Sequence, residues 1–251
     1  GVSSTLTPLA LLCGFGSKVL GVPDAAPRAR YMPDLVCLPD GGVEIKMVDG
    51  AEVATDQGTD RGILPLVESL RAKGILDPLN RTDLSANVYE SDTRELCLFA
   101  DRRQFFLNTP RSQGVCLPNG PVTGSVGEIE VENRGACMTL LLAALGSDPI
   151  SRSRRLLLIL SGDALNTDMT FTDETQRELV NVGKAPALVR VLDVRVKVRL
   201  PDPESWTVWA LAQNGERQER LAAGVDAGAL QVVLQTGRLK HGPTAYFELV
   251  R

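Results

Sequence analysis

Glu128, Glu130 and Glu132 alternate with Ile129 and Val131, and a row of carboxylates is the first place to look for acid–base chemistry. Hydrolysis of a glycosidic bond needs two carboxyl groups held at a set separation across the sugar. Residues two apart on a strand share a face. The three glutamates therefore read as one solvated face, with Ile129 and Val131 turned inward, and not as an opposed pair. A second concentration of oxygen atoms runs through Asp163, Asn166, Thr167, Asp168, Thr170, Thr172, Asp173 and Glu174. Calcium prefers oxygen ligands, which makes Asp163, Asn166 and Asp168 candidate metal ligands. Their spacing is not that of an EF-hand, and Asx and Thr side chains bonding to loop backbone explain the same composition. Trp206 and Trp209 are an odd number of residues apart, so a regular strand sends them to opposite faces. One then fills the core, and the other is a candidate platform for stacking on carbohydrate. His241 is the sole histidine and sits in a turn, Leu239–Thr244, with no nucleophile named beside it. A general base needs such a partner, so it reads as a loop residue.

The five cysteines, Cys13, Cys37, Cys97, Cys116 and Cys137, are widely spaced and form no CxxC. Zinc needs clustered ligands, and a dense disulfide framework does not suit a chain of 251 residues. Buried free thiols are the simplest reading. Cys97 and Cys116 lie on segments that suit neighbouring strands, where a disulfide would imply an oxidising compartment. The formal charge of -4 gives no reason to expect nucleic acid. Residues 5–20 are apolar but are broken by Pro8 and two glycines, follow no Lys or Arg, and are too short to span a bilayer. The compartment stays open, and a secreted or periplasmic one is compatible with these features.

The elements that must position these residues are mostly β. Leu35–Leu38 and Val43–Val48 flank Pro39-Asp40-Gly41-Gly42, a hairpin signal. Five prolines before residue 41 argue against a long helix there. Residues 63–75 carry one helical stripe, Ile63, Leu66, Val67 and Leu70, closed by Gly74. From about residue 86 the period becomes two. Leu96–Phe99 and Gln104–Leu107 are strands joined at Asp101-Arg102. Glu128–Glu132 is turned by Asn133-Arg134-Gly135 into Cys137–Leu145, and Arg155–Leu160 is a continuous apolar run. In Leu192–Leu200 the residues Leu192, Val194, Val196, Val198 and Leu200 share one face. Trp206–Ala212 and Glu216–Leu221 form a hairpin across Asn214-Gly215. Leu230–Leu234 and Tyr246–Val250 complete the set. The expected fold is mostly β: a mixed N-terminal region over 1–79 with a hairpin and one helix, then an antiparallel β-sandwich over 80–251 of about ten strands.

Asn80-Arg81-Thr82-Asp83, Val88–Thr93 and Glu95-Leu96 resemble the linker and first strand of a C-terminal β-sandwich in bacterial glycoside hydrolase-like proteins. Thr109-Pro110-Arg111-Ser112-Gln113-Gly114 is similar to their Thr-Pro-Arg-x-Gln-Gly motif. Ser153–Leu158 and Ala164–Thr167 match a later strand and loop. The likeness covers residues 80–251. Arg94 departs from it, standing where that family has Gly. It implies a soluble accessory domain bracing a catalytic barrel, with that barrel or another protein as partner and carbohydrate as a possible ligand. Residues 1–61 are too few for a (β/α)8 barrel, so the resemblance carries over no catalytic residue and implies no activity for this chain alone. A carbohydrate-binding module and a structural assembly subunit are the alternatives.

Overall fold

The computed structural model describes residues 35–37, 43–46, 52–54, 71, 77–83, 85–91, 93–173 and 178–251. Two compact units divide the chain, Gly1–Asp101 and Arg102–Arg251. The molecule is mostly β and its sheets are antiparallel.

In the first unit, β1 (Leu35–Cys37), β2 (Val43–Lys46) and β3 (Glu52–Ala54) make a three-stranded sheet in which Leu35 faces Ile45. That is the hairpin expected around residues 39–42. The helix expected over 63–75 lies outside the described residues except Arg71, which is helical. Next, β4 (Val88–Glu90) pairs with β5 (Leu96–Phe99). Buried polar side chains lock this hairpin to the segment before it. Asn80 donates its amide to the Ser91 carbonyl, and the Thr82 hydroxyl both donates to the Glu90 carbonyl and accepts from its N–H. Glu90, 1% exposed, accepts from the Arg81 backbone N–H and guanidinium. Buried polar groups persist when each finds a partner, so Asn80, Thr82 and Glu90 tie the hairpin to the segment before it. Arg94 adopts φ +61, the left-handed conformation that a glycine takes without strain.

The second unit is the sandwich. Its strands are β6 (Gln104–Asn108), β7 (Ser112–Leu117), β8 (Val122–Val126), β9 (Ile129–Asn133), β10 (Met138–Ala144), β11 (Arg155–Ser161), β12 (Ala164–Thr167), β13 (Thr170–Phe171), β14 (Leu179–Asn181), β15 (Lys184–Val189), β16 (Asp193–Val198), β17 (Thr207–Leu211), β18 (Arg217–Leu221), β19 (Ala223–Asp226), β20 (Ala229–Gln235) and β21 (Tyr246–Val250). Within the unit one sheet runs β18-β17-β21-β11-β10-β7-β6 and the other β19-β20-β16-β9-β8. Their inner faces meet in one core. Leu140, Leu142, Leu156, Leu158, Phe247 and Leu249 come from the larger sheet, and Ile129, Val131, Val194, Val196, Val198 and Val232 from the smaller. Leu192 through Leu200 bury the predicted face, and β17 turns into β18 at Gly215, whose φ is +86.

Sequence and structure part at Asn133-Arg134-Gly135. This segment does not fold β9 back beside β10. β9 pairs with β16 and β8, whereas β10 pairs with β7 and β11. The turn is a crossing from one layer to the other. Asn133 is fully buried there and donates its amide to the carbonyls of Pro118 and Ala136. Alternation alone cannot tell a hairpin from a corner between sheets. The number of strands after residue 86 also exceeds the expected ten: β4, β7, β8 and β19 were not expected, and 164–189 adds four more short strands. β12 pairs with β15 and β13 with β14, and neither ribbon belongs to a sheet of the sandwich. Residues 162–173 and 178–191 thus make short two-stranded ribbons, here called the arm, between β11 and β16.

Candidate functional site

Residues 109–114 are tied to their surroundings by hydrogen bonds. Thr109 bonds the Ser112 N–H through its hydroxyl, the Pro110 carbonyl accepts from Ile150, and Arg111 donates to the Gly146 carbonyl. Gln113 is 5% exposed and its side-chain carbonyl accepts the Glu128 N–H at 2.7 Å. It stitches the larger sheet to the β8–β9 turn of the smaller. At that turn Gly127 has φ +53, and a Cβ there would stand 2.0 Å from the Gln113 amide nitrogen. Gln113→Ala leaves the Glu128 N–H without its acceptor, and a chemical-denaturation midpoint should report a loss of about 1–3 kcal/mol.

Glu130 and Glu132 of β9, with Glu128 just before it, stand on the outer face of the smaller sheet, opposite a strand of bases. Glu132 meets Arg134 at 2.9 Å and Arg195 at 2.8 Å, Glu130 meets Lys197 at 3.7 Å, and Glu128 meets Arg199 at 3.7 Å. The hydrogen bond from Arg134 holds the Glu132 carboxyl below its ordinary range. Pairs of this kind are screened by water and suit a solvated face.

Trp206 is 5% exposed and its indole N–H donates to the Pro201 carbonyl at 3.0 Å, so it fills the core. Trp209 takes the outer face of the larger sheet, as the odd spacing required. The Arg217 guanidinium lies 5.4 Å from its ring centroid. Arg217 also reaches Glu248 at 2.6 Å, and Arg155 binds the other oxygen of the same carboxylate. Glu248 is only 1% exposed. Burial opposes its ionisation, and hydrogen bonds from Arg217 and Arg155 outweigh that, so it titrates below the ordinary carboxylate range. Sequence reasoning missed this cluster. Its signal was an acid within an apolar strand, Tyr246-Phe247-Glu248-Leu249-Val250.

The candidate metal ligands lie along the arm without converging. Asp163 pairs with Arg190 at 3.1 Å and Asp168 with Lys184 at 2.8 Å. Asn166 donates its amide to the Val182 carbonyl, which points its nitrogen at the chain. Thr167 donates to the Pro186 carbonyl. Glu174 lies outside the described residues. Among the described residues, no three His, Cys, Asp or Glu side chains group as metal ligands.

A cleft of about 470 Å³ opens at the root of the arm, lined among others by Arg103, Cys116, Asn119, Cys137, Thr139, Ser161 and Asp163. Cys97, Cys116 and Cys137 carry free thiols, so Cys97 and Cys116 are not bridged; the side chains of Cys13 and Cys37 lie outside the described residues. The Cys116 sulfur lies 2.9 Å from the Thr139 hydroxyl. Burial, with the nearby Asp163 charge, pushes the Cys137 thiol up, which keeps it protonated and a poor nucleophile at neutral pH. Asp163 is the one carboxylate lining the cleft, and a glycosidase needs two. Among the described residues no helix is long and apolar enough to cross a membrane. No family model, curated protein or solved structure matches the chain.

Proposed function

We propose that residues 80–251 serve as a non-catalytic accessory β-sandwich that braces a second domain, as in the glycoside hydrolase-like proteins the sequence resembles. The second face of the larger sheet supports this reading. Its strands put Leu141 and Ala143 of β10 and Leu157 and Ile159 of β11 on the side away from the core, all half-buried. A sheet with water on one side reads polar there, as the smaller sheet does with Glu130, Glu132, Arg195 and Lys197. These four residues make an apolar patch on the outer face, beside the Arg155–Glu248–Arg217 cluster on the same side, and a covering domain would bury it. Catalysis then belongs to the covering domain, since the β9 and β21 carboxylates are held by Arg and Lys.

The test compares the chain alone with the protein encoded by the complete reading frame. The chain alone is expected to hydrolyse none of a panel of aryl glycosides, and the complete protein to hydrolyse at least one. Leu157→Glu with Ile159→Glu should lower the thermal midpoint of the complete protein by at least about 5 °C. Hydrolysis by the chain alone, an unchanged midpoint, or a reading frame with no second domain overturns the proposal.

A further inference from the structure

Two thiols share one face of the larger sheet, at the cleft beside the root of the arm. Across the β7–β10 ladder Cys116 faces Thr139, and Leu117 faces Met138. Leu117 and Met138 are buried in the core, so Cys116 and Thr139 take the outer face. Cys137 lies two residues before Thr139, which puts it on that same face, diagonal to Cys116. Both cysteines line the cleft, and neither is fully buried. Burial, then the Asp163 charge and, in smaller part, the Cys116 sulfur push the Cys137 thiol up, so the two sulfurs sense each other. We propose that Cys116 and Cys137 form a two-thiolate site for a soft monovalent cation of the Cu(I) class.

Distance favours a bridging ion over a disulfide. Diagonal neighbours in an antiparallel pair stand about 7–8 Å apart at Cα. A disulfide spans roughly 4.4–6.8 Å at Cα, with its sulfurs about 2.0 Å apart, so here it needs the backbone to move. Two metal–thiolate bonds of about 2.3 Å in a line set their sulfurs about 4.6 Å apart, which suits the wider span. Ligand number then selects the ion. Thiolates favour soft metals. Zinc takes four ligands, and among the described residues no third Cys, His, Asp or Glu joins this pair as a metal ligand. A closed-shell monovalent ion is complete with two thiolates in a line. Binding releases both thiol protons to water, and the complex of one cation with two thiolates carries a single negative charge. Arg103 lines the same cleft, and Arg190 holds the neighbouring Asp163 at 3.1 Å, so positive charge stands close by. The Thr139 hydroxyl lies 2.9 Å from the Cys116 sulfur. It becomes the donor once that sulfur is a thiolate, and such outer partners orient metal ligands.

The experiment titrates Cu(I), kept reduced by ascorbate without oxygen, into the full chain against a chromophoric Cu(I) chelator. Cys13→Ser with Cys37→Ser removes the two thiols outside the described residues, and this chain serves as the parent. The parent is expected to take up one Cu(I) per chain, and zinc should not compete for the site. Cys116→Ser or Cys137→Ser in the parent should each weaken binding at least about 100-fold, the upper end of what loss of a mere outer partner costs. Circular dichroism should show each variant folded. Alkylation with iodoacetamide followed by peptide mass mapping needs no substitution at either position. Cu(I) should shield Cys116 and Cys137 together, whereas Cys97, 2% exposed, stays unlabelled with or without the ion. A parent that takes up no Cu(I), zinc that displaces it, binding unchanged by either substitution, or alkylation of the two thiols unaltered by Cu(I) overturns the proposal. The brace reading rests on Leu141, Ala143, Leu157 and Ile159 and is judged by its own measurements.

Discussion

Phe247→Ala is expected to lower the stability of the sandwich by about 3–5 kcal/mol, the range for removing a buried aromatic. Phe247 is fully buried at the centre of the larger sheet, facing Leu158 on one neighbour and Ala210 on the other. Its ring meets a core already filled by leucines and valines from both layers. The space left behind cannot close without moving two sheets. Tyr246, the next residue, is 37% exposed on the opposite face. Tyr246→Ala should shift stability by less than about 1 kcal/mol. Urea melts followed by tryptophan emission report both, because Trp206 lies in the same core. Comparable losses at the two positions would contradict the placement of Phe247 in the inner layer.

The second large effect belongs to Glu248. Arg155 and Arg217 are 62% and 45% exposed, whereas the carboxylate between them is 1% exposed. Water can therefore replace the acid for the arginines but not the arginines for the acid. Arg155→Ala with Arg217→Ala strands a buried negative charge, and the loss at pH 7 should reach about 3–5 kcal/mol. The pH dependence identifies the cause. In the wild type the folded carboxyl titrates below its unfolded value. Its contribution is present above the unfolded pKa and disappears as pH falls through the folded one. In the double variant burial acts alone and raises the folded pKa, so the penalty fades as the group takes up a proton. The two curves should converge as pH falls from 7 towards 4. A gap independent of pH would mean the arginines act through packing of their stems and not through charge.

Where hydrophobic period and pairing are local, the residues announced the fold. Leu192–Leu200 alternated cleanly and lies at the middle of the smaller sheet; Asn214-Gly215 named its own hairpin. Where one pattern serves two topologies, the sequence fell silent. Asn133-Arg134-Gly135 looks like any turn, and only the partners of β9 and β10 reveal that the chain changes layer. The polar run 163–174 looked like a loop because its strands are short and have no hydrophobic face to bury. The candidate residues fared according to their reach. Strand parity separated Trp206 from Trp209. The partners of Glu248, by contrast, come from positions 93 and 31 residues away, and such long-range pairs leave no periodic trace.

The arm has one further property. At its root the Arg190 N–H donates to the Asp163 carbonyl at 2.9 Å, so the chain leaves the sandwich and returns to it through a single doorway. Whatever length of ribbon lies beyond that doorway, β11 and β16 keep their places and their registers. The ribbon is thus an appendage joined at one point, and a change in its length need not disturb the pairing of the two sheets beneath it.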